Sequence, residues 1–182
     1  MNANVAKELD FCFRDLLDGL ELDDSDFNEL VEQRGLSPRA IEKARFKTWP
    51  GGTMLVPSMK SDAVTKLLRI NVRPALLIPA CSTDGLISAI HLKPHREEDD
   101  DVPKYMWASS GGSFKLYPLE SEDGEEWPEE WPEREDPLFV CRANKSADDS
   151  VALIEGGLKA YVFAYQLISK QLELHGWVIG AA

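Results

Sequence analysis

The chain has 182 residues and a mass of 20.4 kDa, with 43% hydrophobic and 29% charged residues, proportions of an ordinary globular protein able to bury a core. They exclude collagen-like, coiled-coil and wholly disordered chains. The net charge of −12 would oppose nucleic-acid binding if it were evenly spread, but 15 acidic against three basic residues between Glu97 and Asp136 account for all of it and leave the rest balanced.

The first third reads as helical. Val5, Leu9, Phe13, Leu16 and Leu17 recur at helical spacing and Gly19 is placed to stop that helix. Around Asp24-Ser25-Asp26 a second helix starts, with Ser25 as cap and Phe27, Leu30 and Val31 as its apolar face before Gly35. Ser37 caps a third, with Pro38 at the favoured first position and Ala40, Ile41 and Ala44 inward, after which Phe46 to Trp49 turns extended. Residues 1–49 are therefore expected to form a helical module, and 50–182 a mixed α/β domain.

After Pro50-Gly51-Gly52 come short apolar runs bounded by Pro and Gly. Met54 to Val56 and Ala75 to Ile78 read as strands, and Thr83-Asp84-Gly85 turns the second into a hairpin with Leu86 to Lys93. Between them Asp62 to Ile70 is expected to be a helix, because Val64, Leu67 and Leu68 share a helical face. Tyr105-Met106-Trp107 and Phe114 to Tyr117 read as a second hairpin across Ser109 to Gly112. Acidic loops at 97–103 and 120–137 interrupt this sheet, the latter repeating Glu-Trp-Pro around Trp127 and Trp131. Tryptophans are unfavourable to leave in water, so at least one of the two is expected to dock on the domain or on a protein partner. Val151 to Ile154 then reads as a short buried strand, Leu158 to Leu174 as a helix and Trp177 to Ile179 as a parallel strand, a right-handed βαβ unit on which the chain stops.

No apolar run approaches the ~20 residues of a membrane span, and the opening MNANVAKELD lacks the basic-then-apolar order of a signal peptide. Three cysteines, Cys12, Cys81 and Cys141, are odd in number and far apart, which argues against a disulfide framework and for a reducing cytoplasm. His91 and His95 with Cys81 or Cys141 lack the closely spaced cysteine pair of a zinc site, so no metal site is expected.

Two features carry chemistry. Glu155-Gly156-Gly157-Leu158-Lys159 puts a carboxylate at the carboxyl end of a strand, where ligands bind in open α/β sheets, and Lys159 in the first turn of the helix, within reach of a phosphate. The structural alternative is that a glutamate favours the helix dipole and the glycines serve the turn. In the second hairpin Lys104, Tyr105, Trp107 and Lys115 interleave cations with rings, a pattern that stacks single-stranded bases while lysines meet phosphates. Its alternative is that the rings are core.

The run ALIEGGLKA resembles the first motif of TOPRIM domains in primases and in plasmid and phage replication proteins. Three stretches, Glu32 to Ile41, Leu77 to Pro79 with Asp84 to Ile90, and Lys104 to Ser110, resemble in order the region preceding that domain, as in the CyRepA-like cyanobacterial plasmid replication proteins. This resemblance spans roughly residues 30–182 and implies that Glu155 takes the place of the acid/base or metal-linked glutamate. It also implies an Asp-x-Asp pair on a later strand for Mg²⁺, which the chain lacks, so catalysis is not expected of it and Mg²⁺ would serve only if the missing half were supplied. The expected fold is α/β or α+β: a helical module, a small mixed sheet with acidic insertions and an incomplete TOPRIM-like βαβ end. The expected function is as the N-terminal part of a plasmid or phage replication protein, contributing single-stranded DNA recognition or partner assembly through the acidic segment or an open sheet edge. The rival is a non-enzymatic interaction protein whose acidic Trp-Pro segment docks a protein or mimics DNA.

Overall fold

The structure, a computed structural model, describes residues 3–60, 63–96, 103–108, 139–142, 150–172 and 176–181. The predicted acidic loops, apart from Pro103, lie outside these residues, as do Lys115, Trp127, Trp131 and the Phe114 to Tyr117 half of the second hairpin. The fold is mixed α/β, and the described residues form four-stranded, two-stranded and three-stranded sheets with helices packed against them.

Helix α1 (Ala3–Asp18) buries Val5, Leu9, Phe13 and Leu17, one residue per turn, and stops before Gly19 as expected. Helix α2 (Asp24–Asn28) is capped by Asp23, whose carboxylate accepts the Asp26 N–H at 2.7 Å. Ser25, expected to cap, lies inside the helix instead, because a carboxylate one turn before Asp26 already meets the free N–H. The chain continues through a π-turn at Glu29–Gln33, and Gly35 leaves it with φ of 67°. Helix α3 (Pro38–Ala44) has the predicted cap, with Ser37 Oγ accepting the Ala40 N–H at 3.2 Å.

Strands β1 (Lys47–Trp49), β4 (Ala75–Cys81), β5 (Ile87–Pro94) and β6 (Met106–Trp107) form an antiparallel sheet in the order β1-β4-β5-β6. The β4–β5 hairpin turns at Asp84-Gly85 as predicted, with Gly85 at φ of 76°. Both faces of this sheet are covered, which is why β4 reads as an unbroken apolar run. On one face α1 packs with Leu77, Ile90 and Leu92. On the other, Leu30, Ile41, Leu76, Ile78 and Trp107 share a cluster with Phe139 and Leu158, so the N-terminal helices and the sheet are joined by common cores. Asp10 fastens α1 to the hairpin turn by accepting the Ile87 N–H and the Arg14 guanidinium. Burial alone would raise its carboxyl, but those hydrogen bonds outweigh it and hold Asp10 below the ordinary value.

Residues 63–72 are strand β3 (Ala63–Val72), not the helix expected from Asp62 to Ile70. They pair antiparallel with β2 (Gly52–Lys60) from Gly52↔Val72 to Lys60↔Ala63. Met54, Val56, Ile70 and Val72 face α1, while Thr53, Leu55, Arg69 and Asn71 face outward, so the period is two. A long cross-strand partner and an α1 surface to cover prevailed over a three-residue helical coincidence.

The C-terminal unit has β7 (Phe139–Arg142), β8 (Val151–Glu155), α4 (Gly157–Ser169) and β9 (Trp177–Ala181) in the order β7-β9-β8. β8 and β9 are parallel through α4, the expected βαβ unit, and β7 is antiparallel to β9. Two details differ from expectation. Among the described residues β8 is an edge strand alternating exposed and half-buried, not a buried one, and α4 stops at Ser169 rather than Leu174, leaving by Gln171 at φ of 53°. Among the described residues no helix is long and apolar enough to cross a membrane.

Candidate functional site

Glu155 ends β8, and Gly156 turns the chain into α4 with φ of 83°, a conformation that disfavours any side chain. Gly157 is required for a different reason. A Cβ there would lie 2.3 Å from Phe139 Cζ, and one at Gly180 would lie 2.8 Å from the Ala160 methyl. The two glycines after Glu155 are thus accounted for by backbone direction and by Phe139 seated on the helix start. Gly157→Ala is expected to cost about 1–3 kcal/mol, toward the upper end because the opposing ring is wholly buried. A urea midpoint unchanged from that of the parent would contradict this packing.

What faces solvent is Glu155, with its side chain 92% exposed, and Lys159, whose Nζ lies 3.3 Å from Glu155 Oε2. The sequence put a carboxylate and a phosphate-reaching lysine at this turn, and here they face each other in water. Glu155 belongs to no group of three ligating side chains among the described residues. The residues described around it do not by themselves fit Mg²⁺, which takes six oxygen ligands in near-octahedral geometry.

The second site begins at β6. Trp107 is 2% exposed and stacks on His91 at 4.4 Å and on Phe139 at 5.4 Å. Its expected role as a base-stacking platform is therefore corrected: the core alternative holds, because β7 brings Phe139 over the strand. Tyr105, on the same strand face, stacks on His91 at 5.0 Å but is only half-buried, and exposed Lys104 holds its Nζ 5.8 Å from the Tyr105 ring centroid. The structure thus divides the predicted set: Lys104 and Tyr105 meet solvent together, and Trp107 lies behind them. His91 carries a buried Nδ1 without a hydrogen-bond partner among the described residues, and burial lowers its pKa to about 4, so the ring is neutral at pH 7.

A third cluster was not foreseen. Asp23, Asp26 and His95 offer ligand atoms within 4.8 Å of one another. Asp26 is buried, its Oδ2 accepts the Thr48 hydroxyl at 2.7 Å, and His95 Nε2 lies 3.0 and 3.1 Å from its two oxygens. These partners are mutual, and they tie the start of α2 to β1 and to the end of β5. Only the Asp-Ser-Asp of a helix start was visible beforehand; no local signal pairs Asp26 with His95. Burial pushes the Cys141 thiol up to about 12 and raises those of Cys12 and Cys81, so none of the three is a thiolate nucleophile at neutral pH.

No family model matches the chain, and no curated protein matches its sequence. A solved structure of a DnaG primase catalytic domain bound to ssDNA is similar to it, with a TM-score of 0.57 and 13% identity over 100% of this chain. The fold is primase-like. The chain spans 55% of that structure's length.

Proposed function

We propose that this primase-like chain is the nucleic-acid-recognising part of a DNA replication protein of a plasmid or phage, working in the cytoplasm and binding single-stranded DNA. The observation that carries the reading is the pairing of exposed Lys104 with half-buried Tyr105 on a rigid aromatic cluster, in a fold similar to a primase domain that was bound to ssDNA. A ring braced by His91, which is itself stacked on Trp107, loses little freedom when a base stacks on it, and the adjacent cation meets a phosphate. Lys115 and Lys159 are further phosphate contacts in this reading. Photo-crosslinking to a bromodeoxyuridine-substituted oligonucleotide, followed by peptide mapping, is expected to label the peptide containing Tyr105 and to lose that label in Tyr105→Ala. Crosslinks confined to other peptides would contradict it.

Glu155 stands in this reading where a primase carries its acidic residue, with Mg²⁺ chemistry dependent on an Asp-x-Asp pair from a later strand. Millimolar Mg²⁺ is accordingly expected to leave the melting temperature of residues 1–182 within about a degree, equally in the parent and in Glu155→Gln. A rise of several degrees in the parent alone would require a complete site here and make the chain a Mg²⁺-dependent enzyme. The second reading, protein docking by the acidic segment around Trp127 and Trp131 or along β8, is favoured by the exposure of Leu153 on that edge strand, at 76%.

A further inference from the structure

We propose that the outer face of the β2–β3 ribbon is a second contact surface for single-stranded DNA, with Arg69 holding a phosphate and Leu55 and Leu67 lying against unpaired bases. This inference rests on the nucleic-acid reading above and adds to it a place on the opposite side of the four-stranded sheet from Phe139 and α4.

The ribbon has two unlike faces. Its inner face buries Met54, Val56, Ile70 and Val72 against α1. On the outer face Leu55 and Leu67 are 47% and 51% exposed, although burying the rest of each apolar side chain would be favourable. Arg69 lies directly across from Leu55 in the register and is also exposed. Arg14, Arg34 and Arg45 are each held by a carboxylate, whereas Arg69 has no ion-pair partner among the described residues.

Charge selects the occupant. From residue 52 to residue 73 the chain carries Lys60, Lys66, Arg69 and Arg73 against Asp62 alone, a cationic stretch in a protein whose net charge is −12. A polyanion is drawn to such a segment, and the long-range repulsion of the whole chain is screened beyond about 8–10 Å at physiological salt. Exposed leucines beside the arginine select a single strand over a duplex. Base faces are open to apolar side chains only when bases are unpaired, whereas a duplex offers phosphates and groove edges.

The experiment uses the full chain with a fluorescein-labelled oligothymidylate and a duplex of equal length, titrated at several salt concentrations. Arg69→Ala is expected to weaken single-strand binding about fivefold at 0.1 M salt and to reduce the slope of log K against log salt by about 0.7, one phosphate contact. Leu55→Ser is expected to weaken binding without changing that slope. Both should melt with the parent, since the side chains are exposed, and Lys43→Ala on the exposed surface of α3 should bind as the parent does. If the parent binds and both ribbon variants bind equally well, the ribbon inference fails and the nucleic-acid reading stands. It also fails if Lys43→Ala loses as much as Arg69→Ala, since the attraction is then general charge, or if the duplex is preferred. If the parent binds no strand, the nucleic-acid reading fails and takes the ribbon with it.

Discussion

Trp107→Ala is expected to destabilise the protein by about 3–5 kcal/mol, enough to unfold much of a marginally stable domain. The ring is 2% exposed, pairs through its backbone with His91, and is in stacked contact with His91 and Phe139. Its removal opens a cavity where the four-stranded sheet meets β7 and α4, and partial collapse cannot fill it because Phe139 is itself fixed over Gly157. Trp107→Phe retains a ring in the stack and should fold and bind DNA. Urea unfolding followed by circular dichroism distinguishes the cases. A Trp107→Ala protein as stable as the parent but unable to bind DNA would return the residue to the binding surface.

The second large effect is on pH. His91 has an ordinary pKa of 6.5 and is lowered to about 4 by burial in the native state. As pH falls below 6.5 the unfolded chain takes up a proton that the folded chain refuses, so stability falls progressively between pH 6.5 and about 4 and then ceases to fall on this account. The loss is of order 3 kcal/mol. His91→Phe is expected to remove this acid sensitivity at little loss near pH 7, because its buried Nδ1 has no partner among the described residues to forfeit and a phenyl ring preserves contact with Tyr105 and Trp107. Urea midpoints from pH 7 to 4 test both signs. An equal pH slope in parent and variant would show that the imidazole is not the group responsible.

Elements with a local physical signature were legible in the sequence. Val5, Leu9 and Phe13 fix α1 by their spacing, Ser37-Pro38 sets the start of α3 by capping, Asp84-Gly85 supplies the left-handed turn of β4–β5, and Glu155-Gly156-Gly157 marks the strand-to-helix turn. What was misread depended on partners distant in sequence. β3 is a strand because β2 lies beside it and α1 beneath, neither of which its own residues encode. Tyr105 and Trp107 occupy equivalent positions on one strand face and differ in burial because Phe139 arrives over one of them. Of the candidate site the sequence made legible the surface position alone: Glu155, Lys159, Lys104 and Tyr105 lie exposed or half-exposed, while Gly157 answers to a ring on β7. The bond between Asp26 and His95 joins groups with no shared local pattern.

The proposed recognition of single-stranded DNA is open to a direct measurement, the fluorescence anisotropy of a labelled oligothymidylate titrated with the full chain at salt concentrations from about 25 to 300 mM. Phosphate contacts release counterions, so log K is predicted to fall linearly with log salt, with a slope of about −0.7 for each contact, and the single strand is predicted to bind more tightly than the duplex. No binding at the lowest salt, or binding indifferent to salt, would contradict recognition of single-stranded DNA and favour a protein-docking role.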